Sequence, residues 1–260
     1  MITFGELRKK SVAWQMEIGD VEKIYARDWL LYAIFENDAL RHNLALRGAS
    51  ALASAYFENY PRVDDVDFAR VGEMDDAARE REFSNAVIAA ARASGLQFRV
   101  NKFKPYRVWV EFTGPLGRRS AAQPFIIANL VSQTRRAEIS ERALAHPFSD
   151  ACHVQVRALS LDELAAEHIA RYPQKPRARD VFDLWFILTH GANELNRSAT
   201  RALAQNIADE KHIALRAELD STYAPLLERA WENALKQIRP HPPFSQARSE
   251  IEQGLAEIVR

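Results

Sequence analysis

The stretch RGASALASAYFENYPRVDDVDFA, Arg47 to Ala69, opens on a glycine-containing turn and closes on the acids Asp64, Asp65 and Asp67. Just ahead of it, LAL (Leu44 to Leu46) reads as a short apolar strand that ends at the turn. ASALASAYFEN reads as a helix rich in small residues, and VDDVDFA as the next strand. Side chains alternate along a strand, so Asp65 and Asp67 share one face while Val66 and Phe68 share the other. Gly48-Ala49-Ser50 at a helix start offers backbone N–H groups without intrahelical partners, and with the Ser50 hydroxyl suits a phosphate. Two carboxylates about 7 Å apart on a strand can share divalent ions that neutralise a triphosphate. Singly, each feature is ordinary: a turn, and a solvated strand end. Their order, with the apolar alternation intact, brings the chemical reading level with the ordinary one.

Bulk composition is compatible with that reading and excludes several others. The chain has 260 residues, 47% hydrophobic and 27% charged, with 35 basic and 35 acidic side chains. That is an ordinary globular balance with no general attraction for nucleic acid, although a local basic surface stays open. The single cysteine, Cys152, excludes an intrachain disulfide and a cysteine-based zinc site. No signal-type or membrane-spanning apolar run is read in the sequence, so a soluble cytoplasmic protein is expected.

Helices and strands alternate to about residue 157. VEKIYARDWLLYAIFEN is helical, and DDAAREREFSNAVIAAARASG is a helix stopped by Gly95. LQFRV, RVWVEFTG and PFIIANLV then change to the period of a strand. From Ser160 onward the pattern is helical: Ser160 and Glu163 have capping-box spacing, Pro173 and Pro176 interrupt, and RDVFDLWFILTHG follows. The expectation is α/β (α+β): a mixed-sheet domain over 1–157 and a mainly helical domain over 158–260.

Taken together, LALRGASAL and RVDDVDFA resemble the AbiEii-type nucleotidyltransferases, MenT-like toxins among them, within the polymerase-beta-like superfamily. Their pattern is an apolar strand, a Lys-Gly-Gly-Thr-like turn and an Arg-x-Ser-Glu-Asp-hydrophobic-Asp strand. Here Arg47, Gly48, Ala49 and Ser50 fill the turn, and Arg62, Asp64, Asp65 and Asp67 fill the strand. A second hallmark, a helix with Glu-Lys followed by Arg-Asp-x-x-Asp-Leu, is matched by Glu167-His168 and by Arg179-Asp180-Val181-Phe182-Asp183-Leu184. AWENAL and HPPFSQARSEIEQGL resemble the family's C-terminal end.

The resemblance implies nucleotide transfer from an NTP to an acceptor, with Mg²⁺ or Mn²⁺. RNA such as the tRNA 3′ end is the implied acceptor, and a cognate antitoxin the implied partner. Asp65 and Asp67 would bind metal, while Gly48, Ser50, Arg47 and Arg179 would hold the nucleotide. Asp180 and His168, with Arg179, would orient substrate or assist proton and charge transfer. Asp180 and Asp183 are expected to share a helix face opposite the apolar stripe. Read without the family, Asp180 is a helix-start acid that Arg179 can pair with.

Three positions depart from the pattern. His168 stands where a permanent lysine cation is expected, and histidine has a reference pKa near 6.5. Asn129 stands where the superfamily usually has a third carboxylate, with Glu111 on a neighbouring strand as a substitute or simply an outward strand residue. Arg47 and Ala49 replace lysine and glycine, and Ala49 is mild unless that position needs positive φ. These departures keep open a degenerate transferase fold that only binds RNA or protein. A transferase acting on a small molecule such as an antibiotic shares the first motif.

LQFRVNKFKPYRVW carries Arg99, Lys102, Lys104 and Arg107 among Phe98, Phe103 and Tyr106, without an acid. Cations among rings suit single-stranded RNA, and equally describe a solvated strand over core aromatics. Arg118-Arg119, Arg135-Arg136 and Lys175-Arg177-Arg179 add positive charge.

Overall fold

The computed structural model describes the chain except for residues 64, 118–124, 133–136, 237, 239 and 260. Asp64, Arg118-Arg119 and Arg135-Arg136 therefore lie outside the described residues. Two compact units are present: one runs to Leu159, the other from Ser160 onward with a short piece around Ala137.

The first unit contains helices α1 (Phe4–Trp14), α2 (Ile18–Glu36) and α3 (Asp38–Asn43), strand β1 (Leu44–Leu46) and the short helix α4 (Gly48–Ala51). A wider π-type turn, Leu52–Tyr56, continues α4. Then come β2 (Val66–Arg70), α5 (Asp76–Ser94), β3 (Gln97–Lys104), β4 (Arg107–Thr113), β5 (Phe125–Ser132), β6 (Ile139–Ala143) and β7 (Gln155–Leu159). The strands form one mixed sheet in the order β3-β4-β5-β2-β1-β7-β6. β2 and β5 are parallel, as are β1 and β7, and the other pairs are antiparallel.

One sheet face is apolar. Val66, Phe68, Val108, Val110, Ile126 and Ala128 are all fully buried. Helix α2 lies on this face, its Phe35 ring centroid 6.1 Å from that of Phe68. α5 starts where the Asp75 carboxylate accepts from the Ala78 N–H at 2.7 Å. It ends at Gly95, whose φ of +74° supplies the left-handed cap that the sequence calls for.

In the second unit α6 (Leu161–Arg171) begins where the Ser160 hydroxyl accepts from the Glu163 N–H at 3.1 Å. α7 (Ala178–His190) stops at Gly191, and α8 (Arg197–Glu210), α9 (Ala224–Ala234) and α10 (Phe244–Val259) follow. α10 packs against α7, α8 and α9. The Trp231 indole N–H donates to the Pro242 carbonyl at 2.8 Å, tying α9 to the chain entering α10. No described helix is long and apolar enough to cross a membrane.

The sequence reading names no elements at α1, α3, β6 or β7. α3 has six residues and β6 five, three of them Ser140, Glu141 and Arg142, so neither displays a usable hydrophobic period. Phe68 is the ring that joins the site strand to α2. Phe68→Ala is expected to cost about 3–5 kcal/mol, read as an earlier denaturant midpoint for the first unit.

Candidate functional site

In the first unit the chain leaves β1 at Arg47 in extended conformation and turns at Gly48, whose φ is +53°. Positive φ falls on the glycine, so Ala49, already helical, is an unstrained replacement. A Cβ built on Gly48 would lie 3.9 Å from Asp67 Oδ2, so the turn sits directly against that carboxylate. The Arg47 N–H donates to the Asp67 carbonyl at 2.9 Å, extending the β1–β2 pairing into the turn.

Ser50 is buried, and its hydroxyl is committed on both sides. It donates to the Asp65 carbonyl at 3.1 Å and accepts from the Asp67 N–H at 2.9 Å. A hydroxyl has one proton to give. The hydroxyl therefore has no proton left for a phosphate, and Ser50 fastens the turn to the backbone of the acid pair. Asp65 precedes β2 and is exposed, with Lys23 Nζ of α2 3.8 Å from its Oδ1. Asp67 is half-buried on β2, while Val66 and Phe68 face the core. β2 begins at Val66, so the alternation read from sequence holds for Asp67, on the face away from Val66 and Phe68, while Asp65 lies ahead of the strand beside Lys23 of α2.

Asn129 lies opposite Asp67 on β5, and Arg107 lies opposite Asn129 on β4. Asn129 Nδ2 donates to Asp67 Oδ1 at 2.8 Å, and Arg107 Nε donates to Asn129 Oδ1 at 2.7 Å. An amide thus connects a carboxylate to a guanidinium. Glu111 is on the same face as Arg107 but four residues along β4, about 13 Å away at strand rise, and is paired with Arg99. It does not substitute for the missing third acid. Among the described residues no three His, Cys, Asp or Glu side chains cluster as a metal site. The Asp65–Asp67 pair still fits Mg²⁺, which commonly takes one or two protein carboxylates and completes its shell with phosphate oxygens and water.

Next to this row the sheet face is half-exposed and cationic. Lys102 and Trp109 are directly opposite one another, as are Trp109 and Ile127. Lys102 Nζ and the Arg107 guanidinium lie 5.5 and 5.6 Å from the Trp109 ring centroid. Phe98 and Phe103, by contrast, pair with the buried Phe112 and Val108 and so belong to the apolar face. Of the rings in LQFRVNKFKPYRVW, Trp109 shares the face of Lys102 and Arg107, and the exposed Tyr106 ring lies 5.6 Å from Lys104 Nζ.

The second unit brings His168, Asp183 and Arg179 together. Arg179 Nε donates to Asp183 Oδ1 at 3.1 Å, and His168 Nε2 lies 3.9 Å from Asp183 Oδ2. His168 is buried, and its Nδ1 has no hydrogen-bond partner among the described residues. Asp180 stands in a different set of contacts. Its carboxylate accepts from the Arg177 N–H at 3.1 Å, from Arg177 Nε and Nη2 at 3.0 and 2.9 Å, and from Arg171 Nη1 at 3.2 Å. Burial raises its pKa, but the Arg177 bonds and the Arg171 and Arg177 charges prevail and lower it to about 2. Asp180 and Asp183 are both buried, not opposite the apolar stripe. Arginine partners neutralise them, which is what allows carboxylates inside. Arg179 pairs with Asp183 rather than with Asp180.

Sequence reading missed Lys23, Arg27, Asp28 and Arg107 as neighbours of the acids. A signal was present in α2, where the charges of VEKIYARDW interrupt an otherwise apolar helix.

Compared with known proteins, residues 29–253 match the family model for the nucleotidyl transferase AbiEii toxin of type IV toxin–antitoxin systems. The solved structure of MenT4, a nucleotidyltransferase toxin from Mycobacterium tuberculosis H37Rv, is 15% identical over 100% of both chains, with a TM-score of 0.54. The likeness is one of fold. The antibiotic-resistance factor ANT(2'')-Ia is 15% identical over 72% of this chain and 93% of its own, with a TM-score of 0.39, too slight to argue from. No curated protein matches the chain.

Ser50→Ala would leave the Asp67 N–H unsatisfied and is expected to destabilise the first unit by about 1–3 kcal/mol, read by denaturant unfolding. Asp180 has a depressed folded-state pKa, so its stabilisation is present above the ordinary carboxylate range and lost as pH falls toward about 2. Asp180→Asn should therefore lower stability by roughly 2 kcal/mol at neutral pH. The gap from wild type should close between pH 4 and 2 in paired denaturation curves.

Proposed function

Because this chain belongs to the AbiEii nucleotidyl transferase toxin family, we propose that it transfers a nucleotidyl group from a nucleoside triphosphate to a hydroxyl of an RNA acceptor, the tRNA 3′ end being the model case. The observation that carries this reading is the Ser50 bridge, which holds the Gly48 turn and the Asp65–Asp67 pair side by side. Asp65 and Asp67 would hold a divalent ion, Mg²⁺ or Mn²⁺. When bound, that ion neutralises phosphate charge and polarises the phosphorus under attack. Backbone N–H groups of the Gly48 turn bind triphosphate oxygens, with Arg47 adding charge. The acceptor oxygen forms a bond to the α-phosphorus as the bond to the pyrophosphate oxygen breaks. Asp67 Oδ2, the oxygen that Asn129 does not occupy, is the one open to the ion, and the hydroxyl proton passes to solvent water.

Within the second unit His168 and Arg179 are assigned, from the family pattern, to orienting substrate or assisting proton and charge transfer. Asp183 and Asp180 hold the cations around them and act as positioning residues. The half-exposed face carrying Lys102, Arg107 and Trp109 favours RNA as acceptor, since cations meet phosphates and aromatic rings stack bases. A restraining antitoxin follows from the family. A second reading, a fold that binds without transferring, is favoured by Asn129, an amide tied to Arg107 where a third acid is expected.

Asp67→Asn should lower transfer of label from an α-labelled NTP to bulk tRNA by about 100-fold or more, with the fold intact by circular dichroism. Absence of transfer by the wild-type protein, with either metal and all four NTPs, would sink the enzymatic reading. Calorimetric binding of NTP with Mg²⁺ would then separate an inert site from a lost one. Trp109→Ala is expected to weaken single-stranded RNA binding about tenfold, one stacked base, in a fluorescence titration.

A further inference from the structure

Helix α2 carries four charged side chains almost wholly removed from solvent: Glu22, Lys23, Arg27 and Asp28. A buried guanidinium–carboxylate pair gives little net stability over apolar residues of the same shape, because both charges lose their water. Their direction suggests another task. Arg27 donates through Nε and Nη2 to Asp28 Oδ1 at 3.0 and 2.6 Å, and through Nη1 to the Val63 carbonyl. One turn earlier on the same helix, Lys23 reaches Asp65. α2 therefore grips the approach to the acid strand at two points.

A relay stands behind Arg27. His146 Nδ1 lies 3.0 Å from Asp28 Oδ2, and His146 Nε2 lies 2.9 Å from Asp150 Oδ1. An imidazole between two carboxylate oxygens satisfies both only when each nitrogen carries a proton. Burial opposes that charge, yet the bonds and charges of Asp28 and Asp150 outweigh it and raise the His146 pKa. Burial likewise works to raise Asp150, but bonds from Tyr25 and His146 lower it. The Tyr25 hydroxyl donates to Asp150 Oδ2 at 2.6 Å, and the terminal amine is 3.5 Å from the same oxygen.

Other groups complete the surroundings. Tyr25, Trp29 and Phe148 place rings around His146. The Cys152 thiol points at the Asp28 carbonyl, 3.6 Å away. Arg62, stacked over Trp14, has its pKa lowered by burial and then by Arg27. With His146 protonated, charges alternate along Arg27, Asp28, His146 and Asp150. Without that proton, one carboxylate faces a lone pair inside the protein.

We propose that Arg27, Asp28 and His146 form a positioning clamp that fixes the Val63 carbonyl, and through it the reach of Asp65, and that the clamp loosens when His146 loses its proton. Its functional meaning rests on Asp65 being a site acid, whereas the clamp itself can be tested without the reaction. Since the folded His146 pKa lies above the unfolded one, the clamp is complete at lower pH and lost as pH rises through the raised value.

Residue-resolved amide exchange on the full chain without ligand, from pH 6 to 9 and corrected for intrinsic rates, tests this. The Asp67 amide, which donates to Ser50, is the reporter, and amides of β7 and α5 are the controls. The wild-type reporter should lose about tenfold in protection toward high pH while the controls hold. His146→Gln should show the low protection throughout, without a pH step, and Arg27→Met the same local loss. Equal loosening of reporter and controls in the variants, or a step that persists in His146→Gln, overturns the clamp. If the variants do not fold, absence of the step in the wild-type protein does so. If transfer is also measurable, His146→Gln should lower kcat more at low pH than at high pH. A protein without transfer that shows the step keeps the clamp and loses only its catalytic meaning.

Discussion

A single serine hydroxyl ties the two halves of the phosphate-and-acid motif together. Ser50 sits on α4, just past the turn, and bonds to the backbone of both residues that frame Val66. β1 and β2 are antiparallel neighbours, so the turn leaving β1 and the approach to β2 meet at the same sheet edge. Two backbone groups there lie beyond the ladder and need partners if buried. Ser50 supplies one acceptor and one donor in a single small side chain, which neither alanine nor valine could do.

From that bond outward the site is a set of rows across the sheet. Asp67, Asn129 and Arg107 belong to three adjacent strands, and parallel pairing of β2 with β5 is what brings them level. Asn129 neutralises nothing, but it passes an oriented dipole from Arg107 to Asp67. Charge behind the acids comes from α2, a helix otherwise devoted to the core. The energetic cost of burying Lys23, Arg27 and Asp28 is offset by the Lys23–Asp65, Arg27–Asp28 and Asp28–His146 pairs and by the Arg27 bond to the Val63 carbonyl. That cost is understandable where the pairs fix a backbone that must present carboxylates at one height.

The second unit repeats the logic with helices. Asp180 is held by Arg177 and Arg171 at the start of α7, and Asp183 by Arg179 one turn on. Both acids are therefore scaffolding for cations as much as acids in their own right. His168 is the exception, since its Nδ1 is buried without a described partner.

Much of this is legible in the sequence. Gly95 and Gly191 end helices as read, Ser160 caps one, and the two-residue period places Asp67 opposite Val66 and Phe68. These are local properties: a cap or an alternation is decided within a few residues of chain. The short elements α3 and β6 escaped because neither is long enough to display a period. Tertiary structure alone decided the rest. It turned Ser50 inward, removed Glu111 from contention by distance along β4, sorted Trp109 from Phe98 and Phe103, and joined Arg27 to Val63 and His146 to Asp28. Each depends on which strand pairs with which, and at what register, and that is set by burial of the whole sheet rather than by any one segment.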